Sequence, residues 1–365
     1  RAAGLPIERA TFHIRQLHHR FSARSLTWEA EAGGAMELSR EHGIQNRTAY
    51  LASPVRVIYE EGRSLRLRLE DPDCPRDYPV VGELIERDYR DYAIFPLAFT
   101  GNKRNAASIA TKRHGGFSDL DLAIFESVLP TVSLVLELHE TARLSRQLLN
   151  TYVGRQAGER VLNGTVQRGM GERIHAVLWY CDLRGFTALS EKMEPEGLVA
   201  LLDDYFERVA HSVERRGGEI LKFVGDAMLV IFPCQAGEDT CAAADRALDA
   251  AEESLAELAA YNKVREAAGQ PALDCGIAVH VGDVVYGNVG AADRLDFTVI
   301  GAPVNLVARL EAFSSQSSVP IVVSADIARQ SQRTFQSLGR HRFKGISAEH
   351  EVFGLAPAAM ALSAS

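Results

Sequence analysis

Two apolar segments separated by only three residues constrain the fold of this chain more than any other feature. Glu219–Phe223 and Ala227–Phe232 both have the composition of β-strands. The intervening Val224-Gly225-Asp226 is too short for any connection except a hairpin. The region around it must therefore contain two adjacent antiparallel strands, with Asp226 at the tip of their turn.

The segments that flank this hairpin alternate between strand and helix patterns. An uninterrupted apolar run predicts a strand that is buried on both faces, His175–Cys181. Apolar residues at helical spacing predict one helix from Leu198 to Val213, and a second, Ala-rich helix covers Gly237–Ala268. The later predicted elements are the strands Leu273–His280, Asp283–Val289 (on either side of Gly282), Leu295–Ile300, Ile321–Ser324 and Glu351–Leu355 and the helix Pro303–Phe313. This order predicts an α+β, ferredoxin-like βαββαβ domain with helices on a mostly antiparallel sheet.

The length of 365 residues favours more than one domain. The patterns before this region predict a first α+β domain over 1–131, a helical or coiled-coil linker over 132–171, the second domain over 172–356 and a flexible tail over 357–365. The elements predicted in the first domain are the strands Ala10–Leu17, Ser25–Glu31, Val55–Tyr59, Ser64–Leu69, Tyr92–Phe99 and Ala106–Lys112 and the helix Val80–Tyr89.

The linker pattern indicates either a dimer stalk or a solvated amphipathic connector. A helix is predicted from Leu120 to about Val153, with Pro130 as its one breaker. Residues that recur by threes and fours form a weak coiled-coil seam: Val135, Leu138, Ala142, Ser145, Leu149 and Tyr152.

Composition excludes several classes of protein. Hydrophobic residues make up 46% and charged residues 24% of the chain, as in ordinary globular proteins. The net charge of −8 argues against binding to nucleic acid or to anionic membranes. Five scattered cysteines without a C-x-x-C pair favour a reducing compartment over a disulfide framework or a zinc site. We therefore expect a cytoplasmic protein that binds neither membranes nor nucleic acid.

Two aspartates are candidates for metal ligands. Asp182 ends the buried strand, and Asp226 lies 44 positions later in the hairpin turn. Because neighbouring strands are about 4.8 Å apart, pairing of the hairpin beside the first strand would bring the two carboxylates together. Paired carboxylates at strand ends suit Mg²⁺, which leaves coordination positions open for phosphate.

Two further segments carry groups that suit phosphate. Leu183-Arg184-Gly185-Phe186-Thr187 follows the strand, turns at a glycine and begins a helix, so its free N–H groups would face an anion. Asn305 and Arg309 are four positions apart and therefore project from one face of a helix.

Three segments together resemble the signatures of class III nucleotidyl cyclases, in the order and rough spacing of that family. They are Asp182-Leu183-Arg184-Gly185-Phe186-Thr187, Lys222-Phe223-Val224-Gly225-Asp226-Ala227, and the stretch Phe297-Thr298-Val299-Ile300-Gly301-Ala302-Pro303-Val304-Asn305-Leu306-Val307-Ala308-Arg309-Leu310-Glu311. The resemblance covers residues 172–356. It implies conversion of a nucleoside triphosphate to its 3′,5′-cyclic monophosphate and pyrophosphate, in sites shared by two catalytic domains of a homodimer.

The resemblance also implies a role for each matching residue. Asp182, Asp226 and the Leu183 carbonyl would bind two Mg²⁺ or Mn²⁺ ions. Gly185, Phe186 and Thr187 would offer N–H groups to the β- and γ-phosphates, and Lys344 resembles the lysine that binds the triphosphate. Arg309 would stabilise charge at the α-phosphate, and Asn305 would orient the ribose.

Lys222 and Thr298 occupy the positions that read the base in this family. Lysine there goes with adenine, because it can donate to adenine N1 but not to the N1–H of guanine. The resemblance therefore predicts ATP as substrate, in the subgroup with threonine at the second position. A guanylate cyclase and a catalytically silent nucleotide-binding module are the alternatives. A diguanylate cyclase is disfavoured, because Ile220-Leu221 after Gly217-Gly218-Glu219 is not the acidic-aromatic pair that its motif needs.

The first domain resembles a GAF sensor domain. The resemblance lies in the central strand pair and in Gly115-Gly116-Phe117-Ser118-Asp119, which leads into the terminal helix. It implies regulation of the second domain by an unidentified small-molecule ligand. Cys74 is the only cysteine of the first domain, and we expect a structural or exposed thiol rather than a chromophore attachment site.

Overall fold

The computed structural model describes residues 4–17, 21–43, 48–101, 103–234, 240–317 and 319–356. Packing divides the chain into two compact units, Arg1–Gln147 and Leu148–Ser365. The predicted tail 357–365 and the predicted helical residues 237–239 lie outside the described residues.

The first unit contains one six-stranded antiparallel sheet. Its elements, in chain order, are β1 (Arg9–Arg15), β2 (Phe21–Glu29), β3 (Ala35–Glu41), α1 (Thr48–Leu51), α2 (Pro54–Glu61), β4 (Leu65–Arg68), α3 (Pro79–Glu86), β5 (Asp91–Phe99), β6 (Lys103–Thr111) and α4 (Asp119–Val153). The strand order is β3-β2-β1-β6-β5-β4. One face packs under α2 and α3 through Ile58, Val81 and Leu84, and the other packs under α4 through Phe125 and Leu129.

The predicted strand Val55–Tyr59 is wrong, because these residues lie in helix α2. The Ser53 side chain accepts a hydrogen bond from the Val55 N–H at 3.2 Å, and Pro54 occupies the first helical turn. Gly62 ends the helix in the left-handed conformation, with φ 71°. These end signals outweigh the strand preference of Val, Ile and Tyr, because the helix also buries Ile58 and Tyr59 in the core.

Helix α4 is continuous over 35 residues and contains Pro130. Of the predicted seam residues, Val135, Leu138 and Tyr152 are 50%, 71% and 81% exposed. By length and composition alone the helix would also be able to cross a membrane, because one 18-residue window in it has a mean hydropathy of 1.5, and 17% of that window is buried. Absence of membrane binding therefore stays a prediction from charge.

The second unit contains an eight-stranded sheet. Its further elements are α5 (Arg155–Leu162), β7 (Gly171–Leu183), α6 (Phe186–Ser190), α7 (Pro195–Arg215), β8 (Glu219–Val224), β9 (Ala227–Pro233), α8 (Thr240–Ala267), β10 (Cys275–Gly290), β11 (Leu295–Ile300), α9 (Ala302–Ser317), β12 (Ile321–Ser324), α10 (Ala325–Gln330), β13 (Phe335–Arg342) and β14 (Glu349–Leu355). The order is β13-β14-β12-β10-β7-β9-β8, with β11 paired to β10.

Within this sheet, β7-α7-β8-β9-α8-β10 gives the predicted βαββαβ order, with β10 and β9 on either side of β7. Strand β7 is buried on both faces, as its apolar run predicts. Val177 and Trp179 belong to the core beneath α7 and α8, whereas Ala176 and Leu178 belong to the core beneath α9. The central position of β7 holds its C-terminal end, and hence Asp182, between two paired strands.

Strand β10 differs from the prediction. The two strands predicted around Gly282 form one strand of 16 residues, in which Gly282 pairs with Ala176 of β7. A Cβ atom at Gly282 would lie 2.6 Å from Cγ of Pro303. The glycine therefore permits close packing of helix α9 and does not mark a turn. Strand β13 was not predicted at all.

Candidate active site

The C-terminal end of β7 and the β8–β9 turn bring Asp182 and Asp226 together, as the hairpin argument predicted. Asp182 pairs in register with Ala227, the residue that follows Asp226. Gly225, at φ 66°, forms the tight turn that places Asp226 there. On its other side Asp182 pairs with Gly276 of β10. Both carboxyl groups are therefore fixed by strand pairing.

The electrostatics of this pair suit a divalent cation. Burial raises the pKa of the Asp182 carboxyl to about 7, and hydrogen bonding to Asp226 and its negative charge act in the same direction. Oδ1 of Asp182 is buried and has no hydrogen-bond partner among the described residues. A cation would neutralise the repulsion and coordinate this oxygen.

The donor set fits Mg²⁺ or Mn²⁺ better than a softer metal. The described residues contain no group of three or more His, Cys, Asp or Glu side chains placed to hold a metal. Two carboxylates with a neighbouring backbone carbonyl, that of Leu183, leave most coordination positions to water and phosphate. Mg²⁺ in nucleotide sites prefers such a shell.

A third carboxyl group, which the sequence analysis missed, lies behind this pair. Glu311 on α9 is only 4% exposed. Burial and the negative charges of Asp182 and Asp226 raise its pKa to about 7. One feature of the sequence could have revealed this group. Glu311 is an acidic residue four positions after the buried Val307, on the apolar face of its helix.

Arg184 anchors the loop that follows Asp182. Its guanidinium donates to the Val319 carbonyl at 3.1 Å and to the Asp274 carboxylate at 3.2 Å, and its backbone N–H donates to the Asp274 carbonyl at 2.8 Å. The side chain is therefore held by protein partners and stabilises the loop. Sequence reasoning gave Arg184 no such role.

The predicted phosphate loop has the conformation that its glycine suggested. Gly185 adopts φ 72° at the start of the short helix α6, and a Cβ atom there would meet nothing within 4 Å. Phe186 and Thr187 form the first turn, where backbone N–H groups have no partner within the helix. Thr187 is exposed. The start of α6 is thus accessible to a ligand, and it follows closely after Asp182 in the chain.

Lys222 lies on β8 and Thr298 on β11, two strands that do not pair with each other in the sheet, and Asp296 of β11 links them. Nζ of Lys222 on β8 donates to Oδ2 of Asp296 on β11 at 3.0 Å. Thr298 follows Asp296 by two residues and is 5% exposed, and its Oγ1 has no hydrogen-bond partner among the described residues. The structure therefore places an ammonium group held by a carboxylate on β8 and, two residues from that carboxylate on β11, a buried hydroxyl without a partner among the described residues. Asp296 was missed by the sequence analysis.

Asn305 and Arg309 occupy the exposed face of α9, opposite its buried residues Leu306, Val307 and Leu310. Within the described part of the chain neither side chain forms a hydrogen bond or ion pair, so the structure does not join them to the Asp182–Asp226 pair or to Lys222. Lys344 is exposed in the turn after β13 and is likewise unpaired among the described residues. The predicted site residues thus fall into separate sets.

Comparison with known proteins connects this geometry to a family. A family model described as the adenylate and guanylate cyclase catalytic domain matches residues 172–356. An uncharacterized protein of Mycobacterium tuberculosis is 35% identical over 218 residues, 57% of this chain and 37% of that protein. An adenylate cyclase of Anabaena cylindrica is 33% identical over 168 residues, 45% of this chain and 32% of that protein. The chain spans about a third of the length of these curated relatives.

A solved structure of a bacterial light-regulated adenylyl cyclase is similar in fold. It superposes with a TM-score of 0.53 at 25% identity, over 62% of this chain and 64% of that one. The likeness agrees with the α+β architecture and the mostly antiparallel sheet of the second unit.

Proposed function

Because this chain belongs to the adenylate and guanylate cyclase catalytic domain family, we propose that it converts ATP to 3′,5′-cyclic AMP and pyrophosphate. The observation that carries the proposal is the Asp182–Asp226 pair, with its buried unpartnered oxygen and its raised pKa. The Gly185 loop opens beside that pair, and a cationic base reader, Lys222, lies on the same hairpin.

Each group of this site has a distinct task in the proposed reaction. Two bound divalent ions would activate the ribose 3′-hydroxyl and neutralise charge on the triphosphate. Asp182 and Asp226 would hold them, and Asp182 must give up its proton to do so. Backbone N–H groups of Phe186 and Thr187 would bind the β- and γ-phosphates. Catalysis then depends mainly on positioning and electrostatic stabilisation.

The residues on α9 would act on the reacting centre. The guanidinium of Arg309 suits multidentate contact with phosphate oxygens as negative charge develops at the α-phosphate. Asn305 lies one turn earlier on the same face and would orient the ribose. Lys344 would bind the triphosphate from the turn after β13.

Lys222 is the basis for our proposal that the protein selects ATP over GTP. Its ammonium group is a donor only, so it can pair with adenine N1 and not with the N1–H of guanine. Asp296 holds that ammonium group at 3.0 Å, and the unpartnered hydroxyl of Thr298 lies nearby in sequence on the same strand.

A homodimer with shared active sites is also part of the proposal. Asn305 and Arg309 form no contact with the carboxylate pair in the described residues and lie on an exposed helix face. A two-fold axis that placed this face opposite the Asp182–Asp226 end of a second copy would complete two sites per dimer. The exposed apolar seam of α4 would supply a parallel stalk, and the first unit would act as a GAF-like sensor that regulates activity.

The test is the reaction of the purified full chain with ATP and, separately, with GTP in Mg²⁺ or Mn²⁺. We expect cyclic AMP and pyrophosphate in equal amounts, and a strong preference for ATP. Asp226→Asn should abolish turnover, whereas Asp203→Asn, which changes an exposed carboxylate on α7, should leave it intact. Cyclic GMP as the main product would establish the guanylate cyclase alternative. Nucleotide binding without turnover would establish the silent module.

A further inference from the structure

The first unit contains a cleft of about 460 Å³ between its sheet and the helices α2 and α3. Strands β1, β2 and β6 form its floor, and β3 forms one side. The volume lies within the range of small-molecule binding sites. All of its lining residues belong to the first unit.

The floor of this cleft is lined by hydroxyl and imidazole groups where a helix-covered sheet face would ordinarily be apolar. Thr11 and Thr27 form a hydrogen bond at 3.1 Å, and Nδ1 of His13 lies 3.0 Å from Oγ of Ser25. Ser108 pairs in register with Thr11 and is 5% exposed. The alternate residues of β1, Ala10 and Phe12, pack into the apolar core under α4. The polar residues therefore lie together on the sheet face that lines the cleft, opposite the face covered by α4.

The hydroxyl groups of this floor bond to one another, to the His13 imidazole and to Tyr92. A hydroxyl group has one donor and two acceptor sites, so these groups can also bond to a ligand. Burial and the charges of Arg9 and Arg40 lower the pKa of His13 to about 4, so its imidazole is neutral at pH 7. The floor thus offers neutral hydrogen-bonding groups.

The rim of the cleft is positive. It carries three arginines, Arg9, Arg40 and Arg87, against the two glutamates Glu29 and Glu83. Arg9 and Arg87 each pair with both glutamates, at 2.6 to 3.5 Å. Arg40 forms no ion pair with the described residues, yet its charge reaches His13. The guanidinium of Arg40 is therefore a positive charge at this cleft that no ion pair among the described residues neutralises.

Two helix N-termini lie at the same cleft and add to its positive potential. The first residues of α2, Pro54 and Val55, and those of α3, Pro79 and Val80, are among the lining residues. Helix N-termini carry a partial positive charge. The excess arginine, the two helix ends and the hydrogen-bonding floor all favour a ligand that is anionic at one end and polar at the other.

We propose that this cleft binds a small polar metabolite with one phosphate or carboxylate group, whose anionic end lies at Arg40 and whose hydroxyl groups lie on the Thr11–Ser25 floor. The inference names the chemical class of regulatory ligand for the sensor role given above, and rests on that role only for its consequence for activity. Binding itself requires no turnover.

Calorimetric titration of the full chain at constant ionic strength tests the proposal. The titration contains no nucleotide, so that loss of ligand binding and loss of cyclase activity are separate results. Inorganic phosphate probes the anionic subsite, citrate tests a carboxylate in its place, and glucose 6-phosphate adds the hydroxyl groups. We expect saturable binding, with glucose 6-phosphate tighter than inorganic phosphate and neutral glucose without effect.

Three variants locate the site. Arg40→Gln should weaken phosphate binding by about tenfold, the effect of losing one charge-assisted hydrogen bond. Arg68→Gln changes an exposed arginine outside the cleft and should leave binding unchanged. Arg309→Gln, in the second unit, should also retain it. Absence of saturable binding by all three anions, or binding lost in Arg309→Gln but not in Arg40→Gln, would overturn the proposal. Equal affinity for phosphate and glucose 6-phosphate would overturn the assigned role of the floor.

Discussion

Lys222 on β8 and Asp296 on β11 form an ion pair of 3.0 Å that links two strands which do not pair with each other in the sheet. Both side chains are partly exposed, at 36% and 58%, so the pair adds at most about 1 kcal/mol to the free energy of unfolding. In the proposed function, this pair would hold the ammonium group in one orientation toward the base.

Asp296→Asn should therefore reduce the preference for ATP over GTP while leaving the melting temperature nearly unchanged. Loss of one orienting contact is expected to lower the ratio of kcat/KM values by about tenfold. Lys222→Glu combined with Thr298→Cys should weaken the preference further. The control is Asp293→Asn, an exposed carboxylate in the preceding loop. An unchanged ratio in Asp296→Asn would show that the pair does not orient the base reader.

Removal of either carboxylate of the central pair should stop the reaction without unfolding the protein. We expect Asp182→Ala and Asp226→Ala each to lower kcat at least about 100-fold, the scale of losing one major electrostatic contribution. Both side chains lie at a strand end and are not fully buried, so circular dichroism should show an intact fold. Turnover near the unmodified rate with Mg²⁺ would contradict their assignment as metal ligands.

The raised pKa values of Asp182 and Glu311, each about 7, predict how stability depends on pH. Between about pH 4 and pH 7 the folded protein binds more protons at these groups than the unfolded chain does, so stability without metal should fall as pH rises. Asp182→Asn should flatten that slope. Mg²⁺ should restore the melting temperature at pH 8 and release protons on binding near pH 7, measurable by calorimetry in two buffers. A metal-free melting temperature that rises over this window would contradict the assignment.

Shared active sites predict rescue between two inactive variants. Asp182→Ala and Arg309→Ala should each be nearly inactive alone. In a mixed dimer one site collects both changes and the other collects neither, so random co-assembly should restore about a quarter of the unmodified activity. Co-purified heterodimers that remain inactive would place all of these residues in a single chain's own pocket.

The exposed seam of α4 predicts that enzyme activity depends on the rotational phase of this helix. Inserting one residue after Arg146 turns the following helix by about 100° and moves the seam out of register. Cyclic AMP production or its regulation should change sharply, whereas a seven-residue insertion, which nearly restores the phase, should be milder. Equal activity of both insertion variants and the unmodified chain would make the helix a simple tether.

The sequence by itself determined the central βαββαβ order of the second unit and the meeting of Asp182 with Asp226. A strand buried on both faces and a hairpin with a three-residue connection leave few alternative pairings, because strand spacing and turn length are fixed by backbone geometry. The motif residues could be recognised for the same reason, since each lies at the end of a short, strongly patterned element.

Tertiary structure decided what those patterns do not contain. Gly282 has the sequence signal of a turn, but it lies within a strand because Pro303 packs against it. Val55–Tyr59 has the composition of a strand, but a capped helix buries Ile58 and Tyr59 more completely. The proximity of Glu311 to Asp182, and of Asp296 to Lys222, joins residues 74 or more positions apart. Such pairs, and the pKa shifts that follow from them, arise only when distant strands and helices pack together, because burial and charge proximity are properties of the folded chain.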